Sequence, residues 1–258
     1  MQFKSSRLSR RDLLLSGAAA ATSLMASPAL ALTAGSIQLP QDITSGDQAT
    51  VLRVATHTAK VAMTFDDGPH PTLTPALLDM LKRRGIRATF YVIGQNAMRY
   101  PLLMKRIADE GHEVGNHTWR HPYLNRMGVE SIQAELDRTT MAVYQTTGRA
   151  PVTMRPPYGA LSLNQRKMVY QTRGLPTVLW SVDPRDWQQP GSQVVADRIV
   201  GRAHNGGIIL AHDIHRATVR AMPSALDGLI GRGFQFVTVS ELMGWPRWDT
   251  RKFQLNTG

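Results

Sequence analysis

The sequence contains no cysteine. That excludes a disulfide-stapled scaffold, a cysteine nucleophile and any thiolate metal site. A metal ion in this chain has only nitrogen and oxygen donors available. Acidic residues are the second shortage, with Asp plus Glu at 19 against Lys plus Arg at 30, a formal charge of +11. Such a balance invites a nucleic-acid or membrane-surface reading. The chain carries no zinc-finger, helix-turn-helix or aromatic stacking motif, so no nucleic-acid partner is expected. Long apolar runs are scarce as well: after residue 30 no stretch of 18 apolar residues occurs, which leaves no further candidate for a membrane span. What is present is 258 residues with 42% hydrophobic content. That is enough to bury a core and too apolar for a disordered chain.

The N-terminus reads as an address. Lys4, Arg7, Arg10 and Arg11 stand against one acid, Asp12, and a weakly apolar run of small residues follows over 13–30. It closes on Ala29-Leu30-Ala31, a signal-peptidase-like cleavage pattern. Ser9-Arg10-Arg11-Asp12-Leu13-Leu14 resembles the bacterial twin-arginine export signal. Residues 1–31 are therefore expected to be a signal peptide recognised by the export machinery, giving a periplasmic or secreted protein. Ser16, Gly17, Thr22, Ser23 and Pro28 weaken the alternative of an uncleaved membrane anchor. The leader holds four cations and one acid, so its loss lowers the formal charge from +11 to +8.

Residues 32–58 are small and polar without a clear period, and read as an N-terminal arm. From residue 60 a strand-then-helix rhythm begins. Strands are expected at 61–65 (VAMTF), 88–93 (ATFYVI), 112–115, 152–154, 177–181 (TVLWS), 207–211 (GIILA) and 234–239 (FQFVTV). Helices are expected at 72–84, 101–110, 129–146, 163–172, 194–203 and 218–230, several closed by a glycine. Alternation of this kind implies an α/β fold with a parallel sheet. Strands so short and apolar suit a small or incomplete (β/α) barrel better than an open sheet. No internal linker or repeat divides residues 59–245, which read as a single domain. The tail, residues 246–258, begins in the run Trp245-Pro246-Arg247-Trp248, read as a cap over one barrel end.

The ionisable residues fall at the C-terminal ends of these strands, the face on which barrel enzymes place their sites. Strand one runs into Asp66-Asp67-Gly68-Pro69, strand three into Asn116-His117-Thr118-Trp119-Arg120-His121, and strand four into Arg155-Pro156-Pro157-Tyr158. Strand five runs into Asp183-Pro184-Arg185-Asp186-Trp187, and strand six, from Leu210, into His212-Asp213-Ile214-His215. Each cluster alone has a bland reading: an Asp-Asp-Gly-Pro turn, a loop arginine, a packed indole, a hydrogen-bonded core histidine. Their joint placement changes the odds. His117 and His121 are four apart, which on a helical turn sends both imidazoles the same way, and two His with one Asp leave a position open for water as in catalytic zinc sites.

The ordered set TFDDGP (64–69), HTWRH (117–121), RPPYG (155–159), DPRDW (183–187) and LAH (210–212) resembles carbohydrate esterase family 4, the polysaccharide deacetylases with a NodB-homology domain. The likeness covers about residues 60–240. It implies a distorted (β/α)7 or (β/α)8 barrel and a divalent metal, zinc first with cobalt or nickel as alternatives, held by Asp67, His117 and His121. It implies Asp66 as general base with Arg155 as its partner, and His212 as general acid with Asp186 behind it. The backbone N–H of Tyr158 would stabilise the oxyanion, since Pro156 and Pro157 have none. Trp187 and Leu210 would form apolar walls. Trp119 and Arg120 depart from the residues common between the metal histidines and are expected to shape or charge the groove floor. The implied substrate is an acetylated glycan, an N-acetylated amino sugar of peptidoglycan- or chitin-like chains. The alternatives are an O-deacetylase of acetylxylan type and a catalytically silent sugar-binding protein.

Overall fold

The computed structural model describes residues 49–250. The expected signal peptide and the last eight residues of the tail lie outside them. In chain order the elements are β1 (Thr50–Val51), β2 (Lys60–Asp66), α1 (Leu73–Arg83), β3 (Thr89–Val92), α2 (Gly94–Arg99), α3 (Pro101–Asp109), β4 (Glu113–Asn116), α4 (Val129–Thr147), α5 (Leu163–Arg173), β5 (Thr177–Val178), α6 (Ser192–Arg202), β6 (Gly207–His212), α7 (Arg216–Gly231), β7 (Gln235–Phe236) and α8 (Val239–Leu242). Among the described residues no helix is long and apolar enough to cross a membrane.

β2 organises the sheet. Apart from Lys60 its residues are all buried, as expected of a parallel strand covered on both faces. It pairs in parallel with β6 from Val61↔Gly207 to Asp66↔His212, and over its second half with β3, from Thr64↔Thr89 to Asp66↔Tyr91. β4 continues beyond β3, and β7 pairs with the start of β2. β1 and β5 form a separate parallel pair. Single bridges at Asn116↔Met154, Met154↔Thr177 and Val182↔Ile209 carry the ring onward from β4 through β5 to β6. The result is the distorted, parallel (β/α) barrel expected of the sequence. The main core packs β2, β3 and β6 against α1, α6 and α7; a smaller cluster built on Leu124, Leu136, Met154 and Val169 lies beside α4 and α5.

The expected helices are all present, within two residues at each end. α5 starts on a reciprocal cap between Ser162 and Gln165, and α4 ends where Gly148 turns left-handed. The strands depart further. The segment 152–154 is reduced to the single bridging residue Met154, hemmed by Pro151 and by Pro156, which lacks a donor. The strand expected at 177–181 stops at Val178, because the Arg155 guanidinium takes the carbonyls of Val178 and Leu179 that a neighbouring strand would use. The strand expected at 234–239 keeps only Gln235–Phe236, since Thr238 and Glu241 form a capping box that starts α8. Besides α8, two elements were not expected. α2 begins without a capping side chain, and β1 lies in the segment read as an arm. Thr50 and Val51 are buried there, so the described part of 32–58 belongs to the barrel wall. In the tail, Trp248 is buried and its indole donates to the Ala150 carbonyl at 2.8 Å.

Candidate active site

The register of β2 against β6 decides the arrangement. Asp66 and His212 are direct partners at the C-terminal ends of two adjacent strands. Around them a pocket of about 410 Å³ opens, lined by Asp66, Asp67, His117, His121, Tyr158, Trp187, Leu210 and His212, with Trp180, Asp183, His215 and Pro156 completing the wall.

Asp67 leaves the strand in a left-handed conformation, φ 75°, which turns its carboxylate toward the histidines. The Asn96 amide holds the Asp67 carbonyl at 2.9 Å. Asp67 Oδ1 lies 3.3 Å from His117 Nε2 and 3.2 Å from His121 Nε2. One donor atom from each of the three residues falls within 4.8 Å of the others. His117 Nδ1 donates to the Arg155 carbonyl at 2.7 Å, because a carbonyl can only accept. With Nδ1 committed there, Nε2 is the ring atom turned toward a carboxylate oxygen. Buried Asp67 Oδ1 has no hydrogen-bond partner among the described residues. Two imidazole nitrogens and a carboxylate oxygen converging in this way fit a divalent ion bound by nitrogen and oxygen. Burial alone would push the Asp67 carboxyl up, but contact with His117 and the charges of His117, His121 and His212 outweigh it and hold it well below the carboxylate range. Burial would push His117 down, and the Asp66 and Asp67 carboxylates bring it up instead. His121 is pushed down by burial and by His117.

Asp66 is buried on β2 and shares its oxygens. Oδ1 accepts from Arg155 Nη1 at 2.7 Å, while Oδ2 faces the histidines, 3.8 Å from His117 Nε2. Arg155 is fully buried. It also donates to Thr64 Oγ1 and to the carbonyls of Val178 and Leu179, with Tyr91 against one side of its plane, 4.2 Å from the ring centre.

His212 stands across from Asp66 with Asp186 behind it. Asp186 Oδ1 accepts from His212 Nδ1 at 2.9 Å and from the Trp187 amide at 3.0 Å; Oδ2 accepts from the His212 amide and from Thr218 Oγ1, each at 2.8 Å. Burial would push the imidazole down, but the Asp186 hydrogen bond and charge, with Asp66 and Asp67 beyond, carry it up to about 9. The Nδ1–H is committed to Asp186, which leaves Nε2 for the pocket. Tyr158 and Trp187, both about half exposed, flank the opening. Tyr158 adopts φ 60° directly after the two prolines, stacks on Tyr123 with ring centres 4.0 Å apart, and places its hydroxyl 3.2 Å from His121 Nδ1.

Comparison with known proteins agrees with this geometry. The polysaccharide deacetylase family model matches residues 53–175. The chitooligosaccharide deacetylase of Sinorhizobium fredii is 37% identical over 72% of this chain and 92% of its own length. The chain belongs to the polysaccharide deacetylase family. The peptidoglycan-N-acetylglucosamine deacetylase PgdA of Listeria monocytogenes is 42% identical over 72% of this chain, a match that spans 39% of PgdA. Among solved structures, the Bc1960 peptidoglycan N-acetylglucosamine deacetylase superposes with a TM-score of 0.73 at 33% identity, over 77% of this chain and 94% of that one.

In this member of the family the ten residues to which the resemblance gives catalytic, substrate-binding or metal-holding roles lie at one place: eight line the pocket, and Arg155 and Asp186 sit directly behind Asp66 and His212. Two expectations are corrected. His117 and His121 do not share a helical turn; a loop brings them together through left-handed Thr118 (φ 68°) and His121 (φ 62°). Trp119 and Arg120 do not line the pocket. The Trp119 indole packs against Gly94 and under the Arg138 guanidinium, 4.4 Å from its centre, and Arg120 pairs with Glu135. Thr64, Asn96, Thr218, Trp180 and His215 were not given roles from sequence. His215 and Asp183 sat inside the polar clusters and Thr64 inside the TFDDGP run already noted, whereas Asn96 and Thr218 carry no local signal.

Proposed function

We propose that this chain is an exported, divalent-metal-dependent deacetylase that releases acetate from N-acetylated amino sugars of a peptidoglycan- or chitin-like glycan. The observation that carries the reading is the opposition of Asp66 and His212 across one pocket, each fixed from behind by a charged partner. Asp67, His117 and His121 would hold the metal, and the absence of cysteine together with two imidazoles and a carboxylate favours zinc, with cobalt or nickel as substitutes. When bound, such an ion supplies Lewis acidity, polarising the acetyl carbonyl and drawing the pKa of water from near 16 toward about 7.

The protein side chains do the rest. Asp66 Oδ2, the oxygen not taken by Arg155, accepts a proton from water as the water oxygen bonds to the acetyl carbon. The Tyr158 N–H donates to the oxyanion that forms. His212 Nε2 delivers its proton to the sugar nitrogen, the C–N bond breaks, and a free amine and acetic acid leave, the acid giving up its proton to solvent as acetate. Exchange with solvent returns the Asp66 proton and reprotonates His212. An amide nitrogen leaves poorly unless protonated, so a His212 still protonated at neutral pH favours amides over esters. Trp187 and Leu210 form the apolar wall beside the acetyl methyl. The leader pattern at 9–14 and 29–31 supports export, and the basic balance of the remainder suits approach to an anionic wall polymer.

Side-by-side rates on N-acetylglucosamine oligomers and on O-acetylated xylan test the reading. It expects the N-acetyl substrate to be preferred; a preference for the xylan ester would turn the assignment to O-deacetylation.

A further inference from the structure

The loop from His117 to His121, which follows the end of β4 at Asn116, carries two of the three metal-site side chains, yet it is neither helix nor strand and holds two non-glycine residues at positive φ. Such a loop keeps its shape only if its surroundings impose it. From one side, the start of α2 donates: Gly94 N to Thr118 O at 2.9 Å and Gln95 N to Trp119 O at 3.2 Å. Gly94 can approach because a Cβ there would collide with the Trp119 ring and with Thr139 Oγ1. From the other side stands a carboxylate of α4. Glu135 is 3% exposed. Its Oε2 accepts from the amides of both Trp119 and Arg120 at 2.9 Å, and its Oε1 accepts from Arg120 Nε at 3.0 Å. Successive amides after a left-handed residue form a concave anion site, and here the anion is a side chain of the protein itself.

We propose that Glu135 is a positioning residue of the metal site: its carboxylate, seated in the amide pair of Trp119 and Arg120, gives the histidine loop the shape that brings His117 and His121 onto Asp67. Glu135 touches neither histidine and lies outside the pocket lining. It acts through the backbone. The inference rests on the reading of Asp67, His117 and His121 as a divalent-cation site. A buried carboxylate in the middle of an amphipathic helix is otherwise costly, and its three donors all come from this one loop. Asn116 ties the other end of the loop to the same helix, its amide donating to Leu136 O at 2.8 Å and Thr140 Oγ1 at 3.1 Å, and its oxygen accepting from Thr118 N at 2.9 Å.

The test is Co²⁺ affinity of the full chain, stripped of metal by a chelator, read from the visible absorption of the bound ion and by competition with that chelator. Glu135→Met, similar in length but without the carboxylate acceptor, is expected to weaken Co²⁺ binding by about 10–100-fold. Glu135→Gln, whose amide oxygen still accepts from both backbone N–H groups, is expected to recover to within about threefold of wild type, a rescue that loss of packing alone would not produce. A folded Glu135→Met that binds Co²⁺ as tightly as wild type overturns the inference, provided that His117→Ala abolishes binding. A wild type that takes up no Co²⁺ overturns the cation-site reading and this inference together. Should Glu135→Met fail to fold, amide hydrogen exchange of Trp119 and Arg120 in the metal-free wild type decides. Protection supports a loop held by Glu135, and exchange at free-chain rates refutes it.

Discussion

Asp186→Asn removes one charge from behind His212 and changes little else in volume. The carboxylate accepts two donors on each oxygen, and a carboxamide can keep only one of those two positions as an acceptor. If the amide NH2 turns toward Nδ1, the imidazole must give up that proton. If the amide oxygen stays there, the bond survives without its charge. In either case the effect that outweighs burial is lost, and the imidazole falls from about 9 to its ordinary 6.5 or lower. That fall corresponds to about 3.4 kcal/mol. The protonated acid is present below its pKa and lost above it. At pH 8 the wild type keeps about nine-tenths of His212 protonated, the variant about 3%, a loss of about 30-fold from protonation alone. At pH 6 the same comparison gives about 1.3-fold. Acetate release from an N-acetylglucosamine oligomer, followed from pH 5.5 to 10, should show the descending limb move from near 9 to 6.5 or below. A deficit of equal size at every pH would refute the role given to Asp186.

Three further outcomes follow from the same geometry. Arg155→Met leaves the buried Asp66 carboxylate without its partner and should lower unfolding stability in urea by roughly 3–5 kcal/mol; a change under 1 kcal/mol would contradict the pairing. Asp66→Asn should abolish acetate release and, because it leaves the buried Arg155 guanidinium without its counter-charge, should lower the unfolding free energy in urea by up to roughly 3–5 kcal/mol; retained acetate release would contradict the role given to Asp66. Asp213 is buried beside Gly68, accepts a hydrogen bond from Thr74, and is pushed up to about 7 by burial. A carboxyl raised in the folded state keeps its proton there while the unfolded chain loses it, so stability falls as pH rises from about 4 to 7. Asp213→Asn should therefore gain on wild type across that window, by on the order of 4 kcal/mol at pH 8, and parallel stability curves would contradict it.

The chemistry-bearing residues were legible because they follow strands, and strand ends in a (β/α) barrel converge whatever the exact strand lengths. Val61 to Phe65 and Gly207 to Ala211 announce themselves as continuous apolar runs, and their register alone sets Asp66 beside His212. What escaped were features defined by what lies across the barrel. The strand at 177–181 is cut short by a guanidinium 22 residues earlier in the chain, at Arg155, which no local window contains. Thr218 reaches Asp186 from α7, and Glu135 reaches the histidine loop from α4; each looks like an ordinary helix residue in sequence. Trp119 illustrates the converse. Its place between two metal-site histidines pointed to the groove, but the left-handed turn at Thr118 sends the indole into the packing between α2 and α4.

The most direct measurement is acetate release from N-acetylglucosamine oligomers by the chain before and after chelation, with products weighed by mass spectrometry. The account predicts products lighter by one acetyl group for each acetate released, loss of that release on chelation, and its return on adding Zn²⁺. Undiminished release by the chelated protein, or oligomers left intact by the Zn²⁺-loaded protein, would contradict it.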